Sequence, residues 1–302
     1  MLRDRLARRC NRGTVSSMAI AACCLQGCVH VPAQGQLITL NDAQMVRQAD
    51  AGCVSRWPAE PASSVRAAGL DPAGFRLLSW NVYKGRDRDW PETLSRLGPG
   101  QDLILLQEAH LTEPFRRTLE RLELQWSMAH AFDYRGSATG VLTATRTLVP
   151  QSCLQRDTEP LLRTPKSVLV SRHELEGTGM ELLLVNLHGI NLTTGTDGYR
   201  EQLVTLAALL RRHPGPLILA GDFNNWSDRR TEILHEVAAG LDLVPLSFPE
   251  DRRSRHWGEP VDHIFYRGLV VLSAETIETS ASDHNPLLAE FSVADSHRET
   301  TQ

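Results

Sequence analysis

The chain has 302 residues, a formal net charge of −4, 41% hydrophobic residues and 23% charged residues. That balance is ordinary for a globular protein with a sizeable core, and the length allows one large domain or two small ones. A net negative chain argues against a general polyanion-binding surface, although a local cationic patch with a divalent ion would still admit a nucleic-acid substrate.

Residues 1–28 read as an export signal. Arg3, Arg5, Arg8, Arg9 and Arg12 precede an apolar run from Val15 to Leu25. That run is much shorter than the ~20 residues needed to span a bilayer. It ends in Leu25-Gln26-Gly27-Cys28, similar to the lipobox of bacterial lipoproteins, in which the Cys becomes the lipidated first residue. Gln26 departs from the small or branched residue usual there. The expectation is an exported chain, periplasmic or held to the cell envelope by a lipid on Cys28; the alternative is a short anchor that stays attached. Loss of residues 1–27 takes five Arg and one Asp with it, so the net charge drops by four units, from −4 to −8. Of six cysteines, Cys53 and Cys153 then remain as thiols, and an oxidising compartment permits them to pair.

Residues 29–74 are rich in Ala, Pro, Ser and Gln without a sustained period. They read as a linker and irregular lead-in, with a short helix near residues 41–51. The domain proper spans residues 75–294, and the polar tail 295–302 is expected to be disordered. Residues 75–82 and 102–108 read as buried strands carrying Asn81 and Glu108 at their ends. Helices follow at 90–97, where Pro91 sits early enough that its missing N–H costs little, and at 114–124. Shorter strands are expected at 140–144 and 166–170, then a buried one at 181–188 ending in His188. In the helix at 199–212, Leu203, Leu206, Ala207 and Leu210 fall at i, i+3, i+4 and i+7, and His213-Pro214-Gly215 stops it.

The central stretch is Leu217-Ile218-Leu219-Ala220-Gly221-Asp222-Phe223-Asn224-Asn225. An apolar strand is ended by Gly221, and Asp222 and Asn224 follow at i and i+2, on one side of an extended chain. Ligands of open α/β sheets bind at such carboxyl ends. A helix at 229–239, a strand at 261–266, a loop at 282–286 and a last strand at 287–291 complete the domain.

Asn81, Glu108, His188, Asp222, Asn224, Asp262, Asp283 and His284 repeatedly follow apolar strands. Each alone has a plain explanation as a turn former, a cap or a satisfied core histidine. Eight together are harder to dismiss, because carboxylates at buried edges are costly unless paired or metal-bound. Oxygen ligands without cysteine favour a hard ion such as Mg²⁺ or Mn²⁺. The histidines are then free for proton transfer or phosphate contact. A hard ion beside Asp and His is what phosphoester cleavage requires.

Trp80-Asn81, Leu106-Gln107-Glu108, Asn186-Leu187-His188, Gly221-Asp222-Phe223-Asn224, Asp262-His263-Ile264 and Ser282-Asp283-His284 follow one another in an order that resembles the endonuclease/exonuclease/phosphatase superfamily. That family includes pancreatic deoxyribonuclease, abasic-site endonucleases, inositol polyphosphate 5-phosphatases and neutral sphingomyelinases. Arg163-Thr164-Pro165-Lys166 and His188-Gly189-Ile190-Asn191 look similar to an uncharacterised bacterial branch of it. The resemblance covers residues 75–293. It implies a four-layer α/β sandwich of the deoxyribonuclease I type, with two packed mixed β-sheets flanked by helices.

The resemblance also implies site roles. Asn81 and Glu108 would hold the metal, with Asp283 nearby. Asp222 would orient or deprotonate water, and Asn224 would contact the scissile phosphate. His284 would pair with Asp262 and bind or protonate a phosphate oxygen, and His188 would match the family's upstream catalytic histidine. Which group is acid and which is base stays open.

Three departures mark the chain. Thr143-Ala144-Thr145-Arg146 stands where the family usually has Ser-Arg or Ser-Lys. There is no Arg/Lys-rich insertion of the kind a processive DNA binder needs, and no long apolar hairpin of the kind that docks a lipid-cleaving enzyme. Lys166, Arg86 and Arg135 are candidate substrate contacts, together with Arg88, Tyr134, His256 and Trp257. The expectation is a monomeric, divalent-metal-dependent phosphoester hydrolase, a phosphodiesterase or nuclease, whose substrate is a nucleic acid, a phospholipid headgroup or a small phosphoester. The alternative is a catalytically silent binding or scaffold protein on the same fold. A two-metal calcineurin-like phosphatase shares the Gly-Asp opening but needs Gly-Asn-His and Gly-His-x-His ligands, which are missing.

Overall fold

The computed structural model describes residues 29–41, 43–50, 52–53, 69–147 and 151–294. The export signal, the lipobox and the C-terminal tail read from the sequence lie outside these residues. Two mixed sheets form the body. The first contains β1 (Val29–His30), β2 (Gln36–Asn41), β3 (Gln44–Ala49), β4 (Phe75–Asn81), β5 (Leu103–His110), β6 (Gln125–Tyr134) and β7 (Ser137–Thr145), with two later strands named below.

The second sheet contains β8 (Ser152–Thr158), β9 (Pro165–Leu175), β10 (Met180–His188) and β11 (Leu217–Asp222). Next come β12 (Val244–Pro245), a separate small hairpin of β13 (Arg255–His256) and β14 (Glu259–Pro260), then β15 (Asp262–Arg267), β16 (Leu269–Thr276) and β17 (Leu287–Val293). The spatial orders are β16-β17-β4-β5-β7-β6-β2-β3, with β1 beside β6, and β12-β15-β11-β10-β9-β8.

Alternation decides which side chains face what. In β4, Phe75 and Leu77 point between the sheets, while Leu78 and Trp80 point outward. In β10, Leu182 and Leu184 face inward and Leu183, Val185 and Leu187 outward. The inner layer, Leu77, Leu103, Leu105, Leu182, Leu184, Ile218 and Phe291, is fully buried. Outside the first sheet lie α1 (Trp90–Leu97) and α2 (Glu113–Arg121), whose Leu94 and Phe115 join Trp80 and Leu106. Outside the second lie α3 (Asp197–Leu210) and α4 (Asp228–Ala239), whose Leu203, Leu206 and Ile233 cover Val185 and Leu219. The result is the helix–sheet–sheet–helix sandwich the resemblance implied.

Residues 29–49, expected to be an irregular lead-in with a helix near 41–51, instead form β1, β2 and β3. The β2–β3 hairpin joins the first sheet through β6. All six residues of β3 are exposed, so no apolar period marks it; pairing to β2 makes it a strand. Among the described residues Cys53 and Cys153 form a disulfide, with Cα atoms 4.9 Å apart across a sequence separation of 100.

Candidate active site

Within each sheet one pair of strands is parallel, β4 with β5 and β10 with β11. Following the inner-face parity to their carboxyl ends leads from Leu77 to Asn81, from Leu184 to His188 and from Ile218 to Asp222. The apolar layer between the sheets therefore gives way to polar side chains at one edge. His188 and Asp222 are register partners across β10 and β11. Glu108 has the opposite parity, but β5 bulges between Leu106 and Ala109, and Glu108 takes φ 51° there. The bulge turns its carboxylate toward the same edge.

Asp222 is the hub. Its Oδ2 accepts from Asn81 Nδ2 at 2.9 Å, and its Oδ1 accepts from the Asn224 backbone N–H at 2.9 Å. His188 Nε2 lies 3.4 Å and His284 Nε2 3.9 Å from Asp222 Oδ2. Gly221 has φ +138°, and a Cβ there would meet the Leu187 carbonyl oxygen at 2.0 Å, so only glycine lets β11 approach β10 this closely. Asn224 donates through Nδ2 to the Gly189 carbonyl at 3.0 Å, which leaves one amide N–H and its oxygen for another partner.

His284 Nδ1 is 2.7 Å from Asp262 Oδ2. Its backbone is fixed by Trp80 Nε1, which donates to the His284 carbonyl at 2.9 Å, and by Ser282 Oγ, which accepts from the His284 N–H at 3.2 Å and donates to the Asn81 carbonyl at 2.7 Å. Burial alone would depress the His284 imidazole, but Asp262 and Asp222 outweigh it and raise the group to about 10. Burial pushes the Asp262 carboxyl up, against the pull of His284. Donor atoms of Asp222, Asp262 and His284 lie within 4.8 Å of one another, as a metal site would require. Asp262 fixes the His284 ring through Nδ1 and leaves Nε2 turned toward Asp222. Asp283 is exposed, its Oδ1 4.0 Å from His284 Nε2, at the border of the cluster.

Glu108 faces cations. Lys84 donates to its Oε2, and Lys166 Nζ lies 4.0 Å from its Oε1. Burial would raise this carboxyl, but Lys84 and Lys166 outweigh it and hold it below the usual range. His188 Nε2 is also 4.0 Å from Glu108 Oε1 and 2.8 Å from Lys166 Nζ. Burial, then Lys166 and Lys84, push His188 well below its ordinary value. A neutral His188 that accepts from Lys166 at Nε2 carries its proton on Nδ1.

A cleft of about 300 Å³ opens beside this cluster, walled by Lys84, Arg86, Glu108, Lys166 and His188 on its polar side. Of the candidate substrate contacts read from the sequence, Arg86, Tyr134 and Lys166 line it. Arg135 does not: it sits exposed at the two-residue β6–β7 turn, its guanidinium over the Tyr134 ring. Arg88 is exposed, and His256 stacks loosely near His284 at 5.9 Å. Lys84 was missed by sequence reasoning. Its only signal is its place three residues past Asn81, in a Tyr-Lys-Gly turn with Lys84 at φ 55°. Also missed was the polar floor beneath the site, where Gln107 Nε2 donates to Asn186 Oδ1 at 2.8 Å across the two sheets.

A family model described as the endonuclease/exonuclease/phosphatase family matches residues 78–284, a span that contains every residue of the cluster. The chain belongs to the endonuclease/exonuclease/phosphatase family. Members of this family are hydrolases acting on phosphoester bonds. The UPF0294 protein VV2535 of Vibrio vulnificus (strain YJ016) is 38% identical over 266 residues, 87% of this chain and 90% of the relative. The human Nocturnin catalytic domain with bound sulfate anion shares the fold at TM-score 0.57 and 22% identity, covering 76% of this chain and 97% of that one. D. rerio TDP2 complexed with single strand DNA product shares it at TM-score 0.52 and 17% identity, covering 73% and 99%. The relatives thus place the chain in a bacterial branch of the family, and the solved structures match it in fold.

Proposed function

We propose that this chain is an exported, divalent-metal-dependent phosphodiesterase that drives water onto phosphorus. The observation that carries the proposal is the convergence on Asp222 of Asn81, His188 and His284, all within 3.9 Å of its Oδ2. Asp222, held at both oxygens by fixed donors, orients the attacking water and takes its proton. His284, cationic through Asp262, presents Nε2–H to a phosphoryl or leaving oxygen. Lys84, Lys166 and the free N–H of Asn224 supply donors to the remaining phosphate oxygens.

The donor set fits a hard divalent cation: Glu108 is held ionised, and Asn81 and Asp222 add oxygen donors without sulfur. Glu108 and Asn81 would hold Mg²⁺ or Mn²⁺, which when bound would draw charge from the phosphoryl group. Lys84 competes for the same Glu108 carboxylate. The disulfide at Cys53 and Cys153 supports export.

The test is a screen of the full chain with Mg²⁺ and Mn²⁺ separately against an aryl phosphodiester, single- and double-stranded DNA, RNA, inositol phosphates and phospholipids. Glu108→Ala and Asp222→Asn should each abolish metal-dependent cleavage of the aryl phosphodiester. Full activity retained in either variant refutes the assignment.

A further inference from the structure

The cleft has an apolar side as well as a cationic one. Val29, Phe132, Leu162 and Leu192 line it together with Lys84 and Lys166. Leu161 and Leu162 are each 59% exposed and Leu192 is 40% exposed. They come from different loops, Leu161 and Leu162 between β8 and β9, Leu192 between β10 and α3. The sequence holds no long apolar hairpin, because the rim is assembled from single residues far apart in the chain.

These loops are fixed to one another. The buried carboxylate of Glu159 accepts from the backbone N–H of Asn191 at 2.7 Å and of Leu192 at 3.3 Å. Asn191 Oδ1 in turn accepts from Trp226 Nε1 at 2.9 Å. Against the Trp226 ring, edge-on at 4.7 Å, stands Trp257. Trp257 is 83% exposed at the tip of the β13–β14 hairpin, where it and Gly258 both have positive φ. An unsatisfied leucine pair and a projecting tryptophan on one rigid rim match the residues that settle at a membrane–water interface.

The point where the chain enters this rim says what it meets. Val29 pairs with Tyr134 and lines the cleft. Cys28, the residue that the lipobox pattern marks, is bonded directly to Val29, so their Cα atoms are ~3.8 Å apart. A lipid on Cys28 would therefore leave the chain with no slack between tether and cleft. A lipid at that position, with no linker to let the domain tumble, would dictate which face touches a bilayer. No described helix is long and apolar enough to cross a membrane. Glu108 and Glu159 offset two of the three cations of the cleft, Lys84, Arg86 and Lys166, and the small net charge that is left disfavours a polyanion track.

We propose that this face rests on a bilayer of zwitterionic phospholipid and that the substrate is an amphiphilic phosphodiester drawn from it. The proposal rests on the phosphoesterase reading above. The phosphate sits by Lys84 and Lys166, and the apolar part lies along Val29, Phe132, Leu162 and Leu192. Water's oxygen bonds to phosphorus, the P–O bond to one alcohol breaks, and a phosphomonoester and that alcohol leave, the water's two protons shared between them through the site.

The full chain is reconstituted with vesicles of phosphatidylcholine and phosphatidylethanolamine, part of the phosphatidylcholine carrying brominated acyl chains. Bromine should quench the fluorescence that Trp257→Phe removes, a readout independent of activity. Equal fractional quenching in the wild type and Trp257→Phe would overturn the proposed face. Phosphatidylcholine in vesicles should be cleaved roughly tenfold faster than monomeric dihexanoyl phosphatidylcholine. Leu161→Asp should lower the vesicle rate by roughly tenfold, as expected for loss of one buried leucine, and leave the soluble aryl phosphodiester rate unchanged. Equal rates on vesicles and monomers would overturn the substrate assignment, as would protection of Trp257 by single-stranded DNA in place of vesicles. If no phosphoester is cleaved but Trp257 is still quenched, the hydrolase reading fails and the membrane face stands.

Discussion

His284 Nδ1 lies 2.7 Å from Asp262 Oδ2, with both side chains buried. The pair raises the imidazole to about 10 despite its burial. Because the folded value lies above the ordinary value of 6.5, the charge stabilises the fold fully below about 6.5. That contribution is lost as pH rises through about 10. Asp262→Asn removes the attraction and should lower the imidazole. The alkaline fall of kcat/KM and of Tm should then both move down by on the order of 1–3 pH units. Profiles of kcat/KM and Tm against pH check this, and an unmoved alkaline limb would contradict it.

Lys84 occupies the carboxylate that a divalent ion would need. Lys84→Met removes a competing cation and should tighten Mn²⁺ binding on the order of tenfold. The same change should slow turnover, because a phosphate donor is gone. Calorimetric titration with Mn²⁺ alongside kcat separates the two effects; weaker Mn²⁺ binding in the variant would place Lys84 outside the metal's neighbourhood.

Arg230 is fully buried and holds the site loops from behind. Its guanidinium donates to the carbonyls of Ile190, Asn191 and Asn224 and to Thr193 Oγ1, all at 2.7–2.8 Å, and lies over Tyr199 and Trp226. Arg230→Met keeps the stem but strands buried carbonyls. A loss of about 2–4 kcal/mol should appear in urea unfolding, with kcat falling more than KM as Asn224 shifts. A variant as stable as the wild type would mean that water replaces the guanidinium.

The Cys53–Cys153 bond closes a loop of sequence separation 100 and stands in the core outside the second sheet. Its double replacement, Cys53→Ser with Cys153→Ser, should cost about 2–4 kcal/mol in urea unfolding. The wild type should fall toward the variant on adding reductant, and the variant should not respond. Equal stability of oxidised and reduced wild type would show that the bridge contributes nothing.

Much of the site was legible because two-residue alternation is a local property. Asn81, His188 and Asp222 could be placed at strand ends from Leu77, Leu184 and Ile218 alone. Glu108 was legible as a strand-end acid, but its direction depends on the bulge in β5, which pairing with β7 creates. Lys84 carries no periodic signal in its short turn, and Arg135 looked as suitable for the cleft as Arg86 until the β6–β7 turn carried it away. β3 was invisible, since an edge strand exposed on every residue has no apolar pattern to display.

By itself the sequence determined the order of the strands' polar ends, the helix faces and the family, because apolar spacing and short motifs are written along the backbone. Only tertiary structure decided which groups meet: that His284 sits between Asp262 and Asp222, that Lys84 takes Glu108, and that Leu162 and Leu192 line one cleft with Val29. Such encounters depend on crossings between distant strands and on the desolvation found there. Neither quantity is a property of any one segment.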